Sequence, residues 1–133
     1  MFTHYWHNLV EADATKYAPF EVKVDYSYET EPLEDLFPNE SEKWYRETAR
    51  KVERSDMPYV IARATVSLAG VKLADNTLGG LLYDSWEEFE QSMIEDEHEL
   101  ITETVDLAQA QWQKMQALMP QPQVVREGLK HPI

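Results

Sequence analysis

The sequence predicts an α+β domain, a three- to four-stranded antiparallel meander packed against two or three helices, the C-terminal one long. Three observations predict it. Residues 20–29 alternate apolar and polar, residues 58–68 are β-branched and apolar on both faces, and residues 85–119 repeat apolar side chains at spacings of three and four.

Phe20 to Glu29 is the clearest strand. Phe20, Val22, Val24, Tyr26 and Tyr28 share one face, and Glu21, Lys23, Asp25, Ser27 and Glu29 the other, as in a half-buried strand with a wet side. Glu31 to Asn39 reads as a loop around Pro32 and Pro38. Ser41 is placed to N-cap a helix over Glu42–Arg54. Trp44, Tyr45, Thr48, Ala49 and Val52 gather on one side of that helix, and Lys43, Arg46, Arg50 and Arg54 form a basic stripe on the other. Pro58–Leu68 has the composition of a central strand. Ala69-Gly70 predicts a tight turn into Val71–Leu73, and Asp75-Asn76 a second turn into Leu78–Tyr83, a strand that Gly79-Gly80 weakens.

Ser85 followed by Glu88 is a capping-box pattern, opening a helix with Trp86, Phe89 and Met93 inward. A second stripe runs Ile101, Val105, Ala108, Trp112, Met115, Met119. The two stripes fall out of phase across Glu95-Asp96-Glu97, which favours two helices with a bend over one rod for 85–119. Pro120 and Pro122 end the pattern, so 1–119 is expected to be one domain and 120–133 a loose tail. Residues 1–19 receive no assignment, although His4, Tyr5, Trp6 and His7 are expected to pack. Val22, Val24, Tyr26, Ile61, Phe89, Ile101, Val105 and Trp112 are the expected core.

A chain of 133 residues has the length of one domain, and its 43% apolar content, with four Trp and seven Tyr, is enough for a core without staples. Cysteine is absent, which excludes disulfides, thiolate metal sites and a Cys nucleophile and suits a reducing compartment. Met1–Val10 lacks the cationic and apolar regions of a secretion signal, and no apolar run approaches the ~18–20 residues of a bilayer span. A soluble, cytoplasmic protein is expected, in the host cytoplasm if it is phage-encoded.

Charge is the most informative feature. The net charge is −13, a self-field that repels phosphate backbones and anionic lipid and attracts basic proteins. The layout is uneven. Residues 43–72 hold seven bases and three acids, whereas residues 73–113 hold eleven acids and no Lys or Arg. Ten of those acids are Asp84, Glu87, Glu88, Glu90, Glu95, Asp96, Glu97, Glu99, Glu103 and Asp106. On a single helix they would span about 34 Å, roughly one charge per 3.4 Å, the phosphate spacing along one strand of B-DNA. A solvated face is the simplest account of such a run. Against it, the stretch forgoes every i,i+4 ion pair that mixed charge would supply, unless the basic stripe of the 42–54 helix docks beside it.

Motifs of chemistry are weak. His4 and His7 form His-x-x-His, and Glu95 and His98 form Glu-x-x-His, the spacing of one half of a di-iron carboxylate site whose second half has no counterpart here. No metal and no cofactor is expected. Asp75-Asn76-Thr77 with Gly79-Gly80 lacks the Lys and the glycine spacing of a phosphate loop. Ser41, Ser67, Ser85 and Ser92 stand outside any nucleophile-elbow context.

In size, lack of cysteine and strong negative charge the chain resembles the DNA-mimicking anti-defence proteins of phages and plasmids, and equally the immunity proteins of toxic nucleases; the resemblance is one of charge and size. It implies a non-enzymatic inhibitor whose acidic face, carried by the ten carboxylates above, occupies the basic nucleic-acid-binding surface of a partner protein, with no direct contact to nucleic acid or membrane. The alternative is a small α+β enzyme or ligand-binding domain with incidental charge and a pocket lined by Tyr5, Trp6, Tyr26, Tyr28 and Trp44. A homodimer through the Ile101–Met119 stripe is a third reading, though about three heptads is short for a coiled coil.

Overall fold

The computed structural model describes residues 6–11, 16–95 and 99–119. The expected 120–133 tail, together with His4, Tyr5, Asp96, Glu97 and His98, lies outside the described residues. The sheet is a four-stranded antiparallel meander in the order β1 (His7–Glu11), β2 (Glu21–Tyr28), β3 (Tyr59–Leu68) and β4 (Val71–Leu82). Between β2 and β3 come a short α1 (Leu33–Leu36) and α2 (Glu42–Glu53); α3 (Trp86–Ile94) and α4 (Glu99–Leu118) follow the sheet.

β3 is central because its side chains can be buried on both faces. It pairs along the whole of β2, from Glu21↔Ser67 to Tyr28↔Val60, and with β4 on its other edge. Val60, Ala62, Ala64 and Val66 point to the helix-covered face with no exposed surface. There they meet Phe20, Val22 and Val24 from the sheet side and Phe89, Met93, Leu100, Ile101, Val105 and Ala108 from α3 and α4. Deleting a ring such as Phe89 from a core of this kind costs about 3–5 kcal/mol.

Local side-chain chemistry sets the helix ends as expected. Ser41 Oγ accepts the Trp44 N–H at 3.1 Å, and Ser85 Oγ accepts the Glu88 N–H at 3.1 Å. α2 stops at Arg54 because Ser55 turns left-handed, φ 65°. The Ser55 N–H then reaches Val52 O and the Asp56 N–H reaches Lys51 O, the paired bonds of a Schellman end. α4 covers β3 and β4, while α3 lies toward β1. The buried Thr104 hydroxyl is satisfied within α4 by Leu100 O at 2.6 Å.

Several expectations are corrected. Asp75-Asn76 is not a turn: β4 runs unbroken from Val71 to Leu82, with Asp75 opposite Thr65 and Asn76 opposite Ala64. β4 is an edge strand, where turn-prone polar side chains meet water instead of ending the pairing. Of the two expected turns Ala69-Gly70 is the one that forms, with φ of 50° and 80°, the sign a type I′ hairpin demands at both positions. β1 forms where no element was assigned. The supposed wet side of β2 is dry at its centre, Asp25 and Ser27 being 6% and 4% exposed. Of the expected core, Val22, Val24, Phe89, Ile101 and Val105 are buried, whereas Tyr26, Ile61 and Trp112 are half-buried. Ile61 faces away from α3 and α4, and burial fades along α4 until Leu118 is 86% exposed.

Candidate functional site

The acidic run is divided between two helices. Asp84 is exposed before α3; Glu87, Glu88 and Glu90 are exposed on α3, and Glu95 caps its end. Glu99, Glu103 and Asp106 are exposed on α4. α3 ends at Ile94 and α4 begins at Glu99, so the carboxylates do not follow one 34 Å axis. Glu99 and Glu103 line a small cleft with Asn76, Thr77, Leu78 and Leu100 at the β4 edge. The basic stripe of α2 forms no ion pair with the run among the described residues. Among the described residues the ion pairs are Lys43–Glu47, Arg63–Asp25 and Lys72–Asp75, and none uses a carboxylate of α3 or α4.

A second feature was not assembled by sequence reading. Side chains from β1, β2 and α3 meet in one aromatic cluster at the α3 side of the sheet. Tyr26 is its hub: its ring stacks on His7 at 5.2 Å, meets Trp86 at 5.2 Å and Phe89 at 6.0 Å, and meets Tyr28 edge-on at 6.1 Å. Tyr28 also stands perpendicular to Trp86, at 6.5 Å and 85°. The alternation of β2 puts Tyr26 and Tyr28 on the same face, and the antiparallel register sets His7 opposite Tyr26. Trp86 is pinned by its own indole, whose N–H donates to Ser55 O at 2.8 Å.

The cluster grades from dry to wet. Phe89 has no exposed surface, Tyr26, His7 and Trp86 are half-buried, and Tyr28 is 50% exposed. Burial, the adjoining Tyr28 hydroxyl and the Glu90 carboxylate push the Tyr26 phenol above its ordinary range, so it remains a neutral hydrogen-bonding group. Glu90 stands one helical turn beyond Trp86, which brings a carboxylate to the rim of the rings. That i,i+4 pair was the signal in the sequence.

The aromatics expected around one pocket are instead dispersed. Trp6 lies over the Arg63 guanidinium, 4.1 Å from it, on the opposite face from the core. Trp44, in the first turn of α2, packs with Phe37 and with its helix neighbour Tyr45. Among the described residues of that set, Tyr26 and Tyr28 meet each other, and Tyr5 lies outside the described residues. Among the described residues no group of three or more His, Asp or Glu side chains is arranged to hold a metal ion, and no helix is long and apolar enough to cross a membrane. Compared with known proteins, the chain matches no family model, and neither a curated protein nor a solved structure matches it significantly.

Proposed function

We propose that this protein is a small partner-binding α+β domain whose contact surface is the aromatic cluster of His7, Tyr26, Tyr28 and Trp86, with Glu90 at its rim. The observation that carries the reading is Tyr28, half-exposed at the outer edge of the ring cluster and in contact with Trp86, whose chain segment is devoid of Lys and Arg. Tyr and Trp are the side chains that most often dominate binding energy, since they bury large area at little entropic cost. Carboxylates flanking them select a basic partner and speed its approach. A cytoplasmic setting accompanies this reading.

Inhibition by an acidic face that mimics nucleic acid is the second reading. It is favoured by one observation: the carboxylates of α3 and α4 are exposed and outside the ion pairs of the described residues.

A random basic copolymer of lysine, arginine and alanine separates the two when its binding is measured across a salt series. The aromatic reading expects Tyr28→Ala to weaken binding at every salt concentration through faster dissociation. Charge reversal of Glu99, Glu103 and Asp106 should then act chiefly on association. Should Tyr28→Ala be silent while those reversals abolish binding, the mimic reading stands in its place.

A further inference from the structure

We infer that the group seated on this surface is a guanidinium, an arginine side chain of the partner, stacked in the corner between Tyr28 and Trp86 with Glu90 as its anionic acceptor. The inference rests on the aromatic reading above and names its ligand.

The geometry carries it in three steps. Tyr28 and Trp86 are close to perpendicular, 85° apart at 6.5 Å, and Tyr28 and Tyr26 likewise, 89° apart at 6.1 Å. Such a corner offers a flat group one ring face to stack on and a second ring to stand against. Trp86 is fixed before any ligand arrives, by its hydrogen bond to Ser55 O and by contact with Phe89 at 6.2 Å. Glu90 follows Trp86 by four residues, so its carboxylate projects from the same face of α3 as the indole.

A cation is the ligand that the faces of electron-rich rings and a carboxylate share. The corner is open, Tyr28 remaining half-exposed, and this discriminates between cations. An ammonium gains most from rings when it is stripped of water inside a closed cage. A guanidinium is weakly hydrated, stacks flat on a ring while partly in solvent, and still directs edge N–H donors at a carboxylate. The segment that carries Trp86 and Glu90 adds no base of its own, since Lys72 and Lys114 bound a stretch free of both Lys and Arg.

The test uses the intact protein and short capped glycine peptides centred on arginine, lysine or citrulline, followed by NMR of the Trp86 indole and Tyr28 ring signals. The arginine peptide is expected to shift both signals saturably, the lysine peptide to bind more weakly, and the citrulline peptide, which keeps the shape without the charge, to leave them in place. Tyr28→Ala and Glu90→Gln should each weaken arginine binding about two- to fivefold. Glu103→Gln on α4 should leave it unchanged, and unaltered signals elsewhere in each variant establish that the fold is retained. Equal binding of arginine and lysine peptides, or shifts spread over α3 and α4 that ignore Tyr28→Ala, would overturn the inference. The two levels fail differently. If Tyr28→Ala does not affect the basic copolymer, the aromatic reading itself is lost; if it does, but arginine and lysine are equivalent, only the guanidinium assignment is lost.

Discussion

The Glu29 carboxylate joins two strands that do not pair with each other. β2 and β4 are separated by β3, yet Glu29, just past the end of β2, accepts the Gly80 N–H of β4 on Oε2 at 2.7 Å. Its Oε1 accepts the N–H groups of Thr30 and Glu31 at 3.1 and 3.2 Å. The Gly79-Gly80 pair makes room for this. A Cβ on Gly79 would stand 3.0 Å from Glu29 Oε2, and one on Gly80, at φ +69°, 3.1 Å from Leu36 Cδ1. Gly80→Ala is therefore expected to lower stability by about 1–2 kcal/mol, through left-handed strain together with the tight approach to Leu36. Gly79→Ala should cost stability in the native background and little in Glu29→Ala, a coupling that chemical denaturation of the four variants reads directly. An identical cost in both backgrounds would mean that the carboxylate is not what the glycine accommodates.

The Asp25–Arg63 pair supplies a second prediction. Arg63 Nη2 donates to Asp25 Oδ2 at 2.6 Å, while Asp25 Oδ1 and Arg63 Nε are buried without a hydrogen-bond partner among the described residues. Half-satisfied buried charge is tolerated only while its counterpart remains. Asp25→Ala should cost about 2–3 kcal/mol, less than the ~3–5 kcal/mol of a fully enclosed pair, because Arg63 keeps part of its surface in water. Replacing both, as Asp25→Val with Arg63→Leu, should recover most of the loss in thermal melts. Charge reversal at Asp25, harmless if its side of β2 were wet, is expected to unfold the domain.

Ser55 predicts a gain. It occupies the left-handed position after α2 without being glycine, and its side chain makes no hydrogen bond among the described residues. Ser55→Gly should relieve this and raise stability by about 0.5–1 kcal/mol. The carbonyl that holds Trp86 belongs to the backbone and is retained, so the aromatic cluster should not move. A lower melting temperature would show that the serine is needed for a reason other than its backbone angle.

Tyr59 contributes to the alkaline limit. Its hydroxyl donates to Glu31 O at 2.7 Å, and burial first, then the negative charge of Glu29 and Glu31, pushes its pKa from 10.0 up to about 12. The folded state holds the neutral phenol, so the stability it contributes is intact below pH 10 and is lost as pH rises toward 12. Unfolding free energy measured against pH should fall across that window. Tyr59→Phe, which has no proton to lose, should flatten the fall, and an unchanged slope in that variant would assign it to other groups.

What the sequence determined by itself was the chemistry of near neighbours. Alternation over residues 20–29 defined β2 and its inward face, Ser41 and Ser85 marked the starts of α2 and α3, and the change of phase after Ile94 separated α3 from α4. Each of these depends on side chains acting within one turn or on one face of the same element, so a linear reading contains the cause. Tertiary structure alone decided the rest. Asp25 is buried because Arg63, thirty-eight residues away, is its partner, and Gly79-Gly80 continues a strand because Glu29 reaches it from fifty-one residues away. The candidate site has the same origin: His7, Tyr28 and Trp86 belong to three elements, and only the register of β1 on β2 and the seat of α3 bring their rings together. A residue's type sets which contacts it can make, but whether it meets water, a charge or a ring is decided by chain segments distant in sequence, and there the linear pattern carries no information.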